Sequence, residues 1–369
     1  MKLIFFTILT LLLACRLPVE KEFTYQNPIS RGIDIKGLRD CQVLRDGDNW
    51  YLTGTAHPHW LGEQTHPGVP LYKSNDLIEW EFVKFIVTNP GPEKWYHQAF
   101  WAPEIHKINN KYYALFNCRN ASLGYDWQHF GYAAADQIEG PYKVVTEDKP
   151  LARGNDMTLF KDDDGKVYAF WHTVNNDGSF WMGSAEIDLD KGKFLSEPVE
   201  AIKTGKVDYE TDEDGNVKTV FRYGRNEKVI KTFYEWDSQG FEGAYVIKRE
   251  DTYYLFYSSW TRGYEIGYAT ANSINGPWKK ADNNPIYGAT SKDLCEQKGF
   301  EYTGNPENPF YAVGHNEIFT GPDGRLWLSC HGQKKDNATP FLVIDPLNFN
   351  VNGEIMRKEP SHTLQTIKY

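Results

Sequence analysis

"REDTYYLFYSS", residues 249–259, is a short polar turn followed by a strand of alternating bulky side chains. The same sentence recurs as "LRDGDNWYLTGT" (44–55), "HKINNKYYALFNC" (106–118), "KDDDGKVYAFWHT" (161–173) and "GPDGRLWLSCHG" (321–332). Each copy joins a turn built on Asp, Asn or Gly to a run that suits a pleated, half-buried strand. A second piece follows every copy: "LYKSNDLIEWEFV" (71–83), "GYAAADQIEGPYKVV" (131–145), "GSAEIDLDKGKF" (183–194), "GYATANSINGPWKKA" (267–281) and "FLVIDPLNF" (341–349). The distance from turn residue to the Asp or Asn of the second piece is 21 to 28 residues, about two hairpins. Strict alternation of two pieces, five times over, predicts an all-β, five-bladed β-propeller with its site at one mouth of the central channel. A generic β-sandwich would not require that alternation.

The blades are expected at 30–90, 91–148, 149–200, 230–285 and 305–355, within one domain over 30–369. The stretch "TGKVDYETDEDGNVKTVFRYGRNEKV" (204–229) carries its own turn, and reads as an extra hairpin or a long fourth-strand excursion.

Composition agrees with strands and turns. Of 369 residues 15% are aromatic, interrupted by 31 Gly and 19 Pro, and no long amphipathic helix is evident by period. The net charge is −10 and Lys/Arg runs are absent, which argues against a nucleic-acid partner.

The opening "MKLIFFTILTLLLACRLP" (1–18) has one Lys and an apolar run from Leu3 to Leu13, too short to span a bilayer. Its "LLAC" resembles a bacterial lipobox, which implies cleavage before Cys15 and lipid on that residue; an ordinary signal peptide with a chance Cys is the alternative. On this reading 1–14 is a signal peptide and 15–29 a tether. The chain is then a monomeric, exported bacterial lipoprotein, periplasmic or outer-membrane anchored, touching the membrane only through its lipid. Cys41, Cys118, Cys295 and Cys330 have no zinc-ligand spacing, and Cys118 and Cys330 read as buried thiols.

The first strand of each propeller blade lines the channel, so polar residues at one offset before the aromatic strand should face one mouth. Glu242, Asp156 and His315 each lie twelve residues before an aromatic anchor (Tyr254, Tyr168 and Trp327). Asp40 lies eleven before Tyr51, and Glu104 only nine before Tyr113, which breaks the register. Turn-capping does not select such a position, so three carboxylates and a histidine are expected to converge. Two carboxyls across a sugar-sized gap are the machinery of glycoside hydrolysis, one protonated to assist the leaving oxygen and one ionised to activate water. A third carboxylate favours protonation of the acid by like-charge repulsion. Trp101 in "FWAPEIH" (100–106), the "HPHW" loop (57–60) and Trp181 in "SFWMG" (179–183) offer aromatic faces for sugar rings. Trp101, Glu104, Trp181 and His331 are the candidate substrate contacts.

These motifs resemble glycoside hydrolase family 43, over about 30–350. That resemblance implies an inverting five-bladed propeller enzyme acting on arabinose- or xylose-containing plant polysaccharides or oligosaccharides. "GLRDCQVLRDGDNWYLTGT" (37–55) resembles the opening blade and makes Asp40 the general base, with Cys41 where Pro is usual. "FWAPEIHKINNKYYALF" (100–116) is similar to the second-blade motif. "GNDMTLFKDDDGKVYAFW" (154–171) makes Asp156 the modulator and orienter of the acid, with Met157 in place of a common Pro. "FEGAYVIKREDTYYLFYSS" (241–259) makes Glu242 the general acid, and "GHNEIFTGPDGRLWLSCHG" (314–332) places His315 near a structural calcium on the axis, through water. No cofactor is implied for the chemistry. An α-L-arabinofuranosidase is expected because no β-sandwich follows residue 355. The alternatives are a β-xylosidase or endo-arabinanase of the same fold, or a glycan-binding propeller without turnover. Related fructan- or agar-cleaving families fit less well, since the fructan patterns Asn-Asp-Pro and Glu-Cys are absent.

Overall fold

Each repeated turn-and-strand piece becomes the hairpin that joins the first two strands of a blade. In this computed structural model, which describes residues 21–60, 65–175, 179–222 and 225–369, five antiparallel sheets follow one another along the chain. Blade one pairs Leu38–Asp46, Asn49–Ala56, Gly68–Ser74 and Glu81–Thr88 in order. Blade two is built on Gln98–Ile108, Lys111–Asn120 and Tyr125–Ala135, and blade three on Asn155–Lys161, Val167–Val174 and Phe180–Asp188. Blade four uses Phe241–Arg249, Thr252–Ser259 and Gly263–Ala271; blade five uses Phe310–Thr320, Leu326–Lys334 and Asn337–Pro346. In blades two to four the outermost position is shared by two short strands, such as Lys279–Lys280 and Tyr287–Thr290. The propeller is as the repeats predict.

The aromatic content has a job in this architecture. Sheets facing each other stand about 10 Å apart, a gap that large side chains fill. The buried apolar residues accordingly form five clusters, each between neighbouring blades. Tyr96, Phe100 and Phe116 fill the seam of blades one and two, and Tyr254, Phe256 and Tyr268 that of blades four and five. Cys41, Cys118, Cys295 and Cys330 are all buried free thiols.

Two expectations change. The segment from Glu22 to Ile29 is not a tether. Glu22–Tyr25 pairs with Gln365–Lys368, Ile29 bridges Leu342 on the outer strand of blade five, and Phe23, Tyr25 and Ile29 are buried in the seam of blades five and one. The alternating apolar side chains of "FTYQNPI" (23–29) pack against Trp327, and so close the ring. Of the two readings of 204–229, the extra hairpin holds, as Thr219–Arg222 with Arg225–Lys228, and the fourth-strand excursion does not; a second ribbon, Val207–Tyr209 with Ile230–Phe233, carries it outside any blade. The signal peptide, Cys15 and the first six residues of the tether, 15–20, lie outside the described residues.

Candidate active site

One backbone device repeats around the channel. The first strand of every blade breaks register with its partner at a β-bulge, between Arg39/Gln42, Trp101/Glu104, Asn155/Thr158, Glu242/Tyr245 and Gly314/Glu317. Within each bulge one residue has positive φ: Asp40 (53°), Ala102 (40°), Asp156 (54°), Gly243 (66°) and His315 (62°). Bulges of this kind re-aim a side chain out of the pleat, and Asp and His tolerate the left-handed region better than most residues. Asp40, Asp156 and His315 are thereby turned toward one another at the axis.

A bulge strands its amide, and the neighbouring blade supplies the acceptor. The Asp40 N–H donates to His331 Nδ1 (3.0 Å), Ala102 to Thr55 Oγ1 (2.7 Å), Asp156 to Asn117 Oδ1 (2.9 Å) and His315 to Ser258 Oγ (2.9 Å). Gly243 N–H donates to Asp156 Oδ2 (3.1 Å). The acceptors Thr55, Asn117, Ser258 and His331 stand at matching places on second strands, opposite Arg39, Trp101, Glu242 and Gly314.

The acids meet around His315. Its Nδ1 lies 3.4 Å from Asp40 Oδ1 and 3.9 Å from Glu242 Oε1, so those two carboxyls converge on one ring nitrogen. Asp156, His172 and Glu242 also each offer an atom within 4.8 Å of the others. Burial pulls the His315 pKa down, but Asp40 and Asp156 outweigh it and push it up to about 10, so His315 is an imidazolium at neutral pH. Burial pushes Asp40 up, but the His315 charge and the Arg39 guanidinium hold its carboxyl well below the usual range. Asp40 Oδ2 also accepts a hydrogen bond from Thr55 Oγ1 (2.6 Å). Asp156 is likewise lowered against its burial, by His315 and then His172. The site therefore holds two firmly ionised aspartates, one cation, and the more open Glu242.

The chain matches the family model of the glycosyl hydrolases family 43 over residues 25–355. It belongs to that family. A "Xylan 1,3-beta-xylosidase" from Vibrio sp is 26% identical over 74% of this chain and 45% of its own length. A "Non-reducing end alpha-L-arabinofuranosidase" from Bacteroides ovatus is 24% identical over 85% of this chain and 49% of its own. The chain thus spans about half the length of these curated relatives. A crystal structure of a thermostable family-43 glycoside hydrolase superposes with a TM-score of 0.66, at 26% identity, over 92% of this chain and 97% of that one.

In this family 43 chain the sequence-predicted residues separate into groups. Asp40, Asp156, Glu242 and His315 are brought together. Trp101 joins them at the mouth, since it holds in blade two the register place that Glu242 holds in blade four. Two substrate contacts are corrected, His331 and Glu104. His331 is fully buried (0% exposed), because its task is to accept the Asp40 amide; burial, then Arg39, lowers its pKa to about 3. Glu104 is 1% exposed because it sits two residues past its bulge, deeper in the channel, with Oε2 on His106 Nε2 (2.5 Å). Trp181 stands on the third strand of blade three, opposite Thr173, and packs against Trp171 with centroids 6.4 Å apart.

The shared offset of Glu242 is corrected as well. From the bulge to the aromatic anchor is eleven residues in blades one, two and four, but twelve in blades three and five. Hairpin turns explain the difference: two residues in "REDT", five in "KDDDGKV". Glu242 therefore sits one residue before its bulge, which Gly243 occupies.

Calcium can be tested against the donors. His315 turns its Nδ1 to Asp40 and Glu242, so only its other ring nitrogen could serve the part the resemblance gives it. Deeper in the channel, Glu104 Oε1 and Glu317 Oε2 are buried without a hydrogen-bond partner among the described residues. Those oxygens are of the type a hard cation takes, and a calcium held there would neutralise the channel floor without taking part in bond cleavage. Sequence reasoning missed Arg39, Asn117, His172 and Tyr264. Arg39 and His172 carried a signal, one beside Asp40 and the other in the repeated strand "VYAFWHT" (167–173). Asn117 and Tyr264 stand on second and third strands and carried none.

Proposed function

We propose that this chain is an inverting exo-acting glycoside hydrolase that releases α-L-arabinofuranosyl units from plant cell-wall glycans. The observation that carries the hydrolase reading is the pair of carboxyls, Asp40 and Glu242, that approach one ring nitrogen, His315 Nδ1, at 3.4 and 3.9 Å. Asp40, held ionised, takes a proton from water as that water attacks the anomeric carbon. Glu242 gives its proton to the glycosidic oxygen as the bond from carbon breaks. Asp156 accepts the Gly243 amide and so fixes the backbone beside the acid. Trp101 and Arg39, stacked on the half-exposed Trp60 (4.6 Å), border the mouth where a sugar would enter.

The Bacteroides ovatus relative's name supports arabinofuranose as the glycone, and the Vibrio relative's name supports xylose as the second reading. Hydrolysis of an aryl α-L-arabinofuranoside against an aryl β-D-xyloside, followed by proton NMR, tests both parts. We expect the arabinofuranoside to be cleaved about tenfold faster or more, with the inverted anomer appearing first. Preference for the xyloside overturns the glycone, and first release of the retained anomer overturns Asp40 as base.

A further inference from the structure

We propose that Tyr264 is a positioning residue for Glu242, holding its carboxyl so that the proton faces the leaving oxygen. The inference rests on Glu242 being the general acid.

One place in the ring lacks a side chain. The places one residue before each bulge are Arg39, Trp101, Asn155, Glu242 and Gly314. Four present a side chain at the mouth and the fifth presents none. The space at Gly314 is filled by the ring of Tyr264, reaching in from the third strand of blade four; a Cβ on Gly314 would lie 2.5 Å from that ring. The His331 ring packs on its other side with centroids 5.5 Å apart. Tyr264 is buried, with its ring packed over Gly314 and against His331.

The hydroxyl so placed donates to Glu242 Oε1 through a short hydrogen bond. It also stands 3.5 Å from His315 Nδ1. With Oε1 engaged as an acceptor, Oε2 is the oxygen that carries the proton to the substrate. The phenol keeps its own proton throughout, since burial and then the nearby Glu242 push its pKa well above the usual value. In the step itself the Glu242 proton passes to the glycosidic oxygen, the bond to the anomeric carbon breaks, and water adds there while Asp40 takes a proton. Tyr264 forms and breaks no covalent bond.

Acid assistance matters most for poor leaving groups, so the test is a leaving-group series. Phenyl and dinitrophenyl glycosides of whichever sugar the wild type cleaves are compared for Tyr264→Phe and Glu242→Ala. Tyr264→Phe is expected to lose about tenfold or more in kcat on the phenyl glycoside, with KM unchanged, and less than about threefold on the dinitrophenyl one. Glu242→Ala is expected to show the same pattern with a loss of about 10²–10⁴-fold on the phenyl glycoside. Gly314→Ala, which crowds the ring without deleting the hydroxyl, is a second variant expected to follow Tyr264→Phe should that variant fold poorly. Equal losses on both substrates, or none on either, in the folded Tyr264 and Gly314 variants overturn the positioning role while Glu242→Ala keeps its pattern. Equal losses in Glu242→Ala overturn the acid assignment, and the inference with it.

Discussion

Asp40 and Glu242 face the same imidazolium but are held in opposite ways. Asp40 is the bulge residue itself, with its amide on His331, one oxygen on Thr55, Arg39 alongside, and a side chain 9% exposed. Glu242 precedes its bulge, is 23% exposed, and is gripped at one oxygen by Tyr264. The difference matches the two tasks. A base that must be ionised before every turnover gains from fixed positive charge and a rigid seat. A carboxyl that must be refilled with a proton after every turnover gains from a path to solvent. Differential exposure therefore does for this pair what a difference in residue type would do elsewhere.

The largest expected effect comes from breaking the base side. Asp40→Asn keeps the shape, the Thr55 contact and a residue tolerant of positive φ, but removes the charge. A fall in kcat of about 10²–10⁴-fold is expected, with an unfolding midpoint close to that of the wild type. A loss of less than tenfold would mean that water is activated elsewhere.

The cation between the two acids is the next point to break. Its pKa is raised from about 6.5 in the unfolded chain to about 10 when folded. The stability it contributes is therefore fully present below about pH 6.5 and is lost as pH rises through about 10. Wild-type unfolding free energy should fall between pH 7 and 10 by on the order of 3–4 kcal/mol from this group. His315→Gln should be less stable at neutral pH and show a flatter slope. Parallel slopes in denaturant titrations would show that the imidazole is neutral in the folded protein.

The propeller was legible because its signals are local: a turn, a period-two strand, and strict alternation of two pieces. Asp40, Asp156 and His315 were legible because a bulge in the first strand of each blade leaves only eleven or twelve residues to the aromatic anchor. Glu242 was found at an offset that fits the longer turns of blades three and five, though its own turn is short. Its place one residue before Gly243 depends on strand register, which residue counting does not carry. His331 and Glu104 were misread for one reason: polar residues near a channel can belong to its walls, accepting amides or facing each other, rather than to its opening. Residues 22–29 were misread because the apolar run is too short to announce a strand before its partner at 365–368 is known.

The smallest predicted effect concerns Asn117, which ties the acid side to the rigid one. Its Oδ1 accepts the Asp156 N–H and its Nδ2 donates to Asp156 Oδ1, both at 2.9 Å, with a further bond to the Trp101 carbonyl at 3.1 Å. Asp156 in turn accepts the amide of Gly243, the neighbour of Glu242. Asn117→Ala leaves a buried amide without an acceptor and a carboxylate with one donor fewer, which costs about 1–3 kcal/mol. Because Asp156 keeps His315 and His172 nearby, it stays ionised and loses mainly its orientation. A fall in kcat of about tenfold is expected, reaching the acid through Gly243 and leaving Asp40 untouched. Urea unfolding together with kcat reads the two parts separately. Stability lost with full activity would confine Asn117 to the fold; neither lost would show that the bulge holds its left-handed residue without a clamp, and the symmetry of the four second-strand acceptors would then have no energetic meaning.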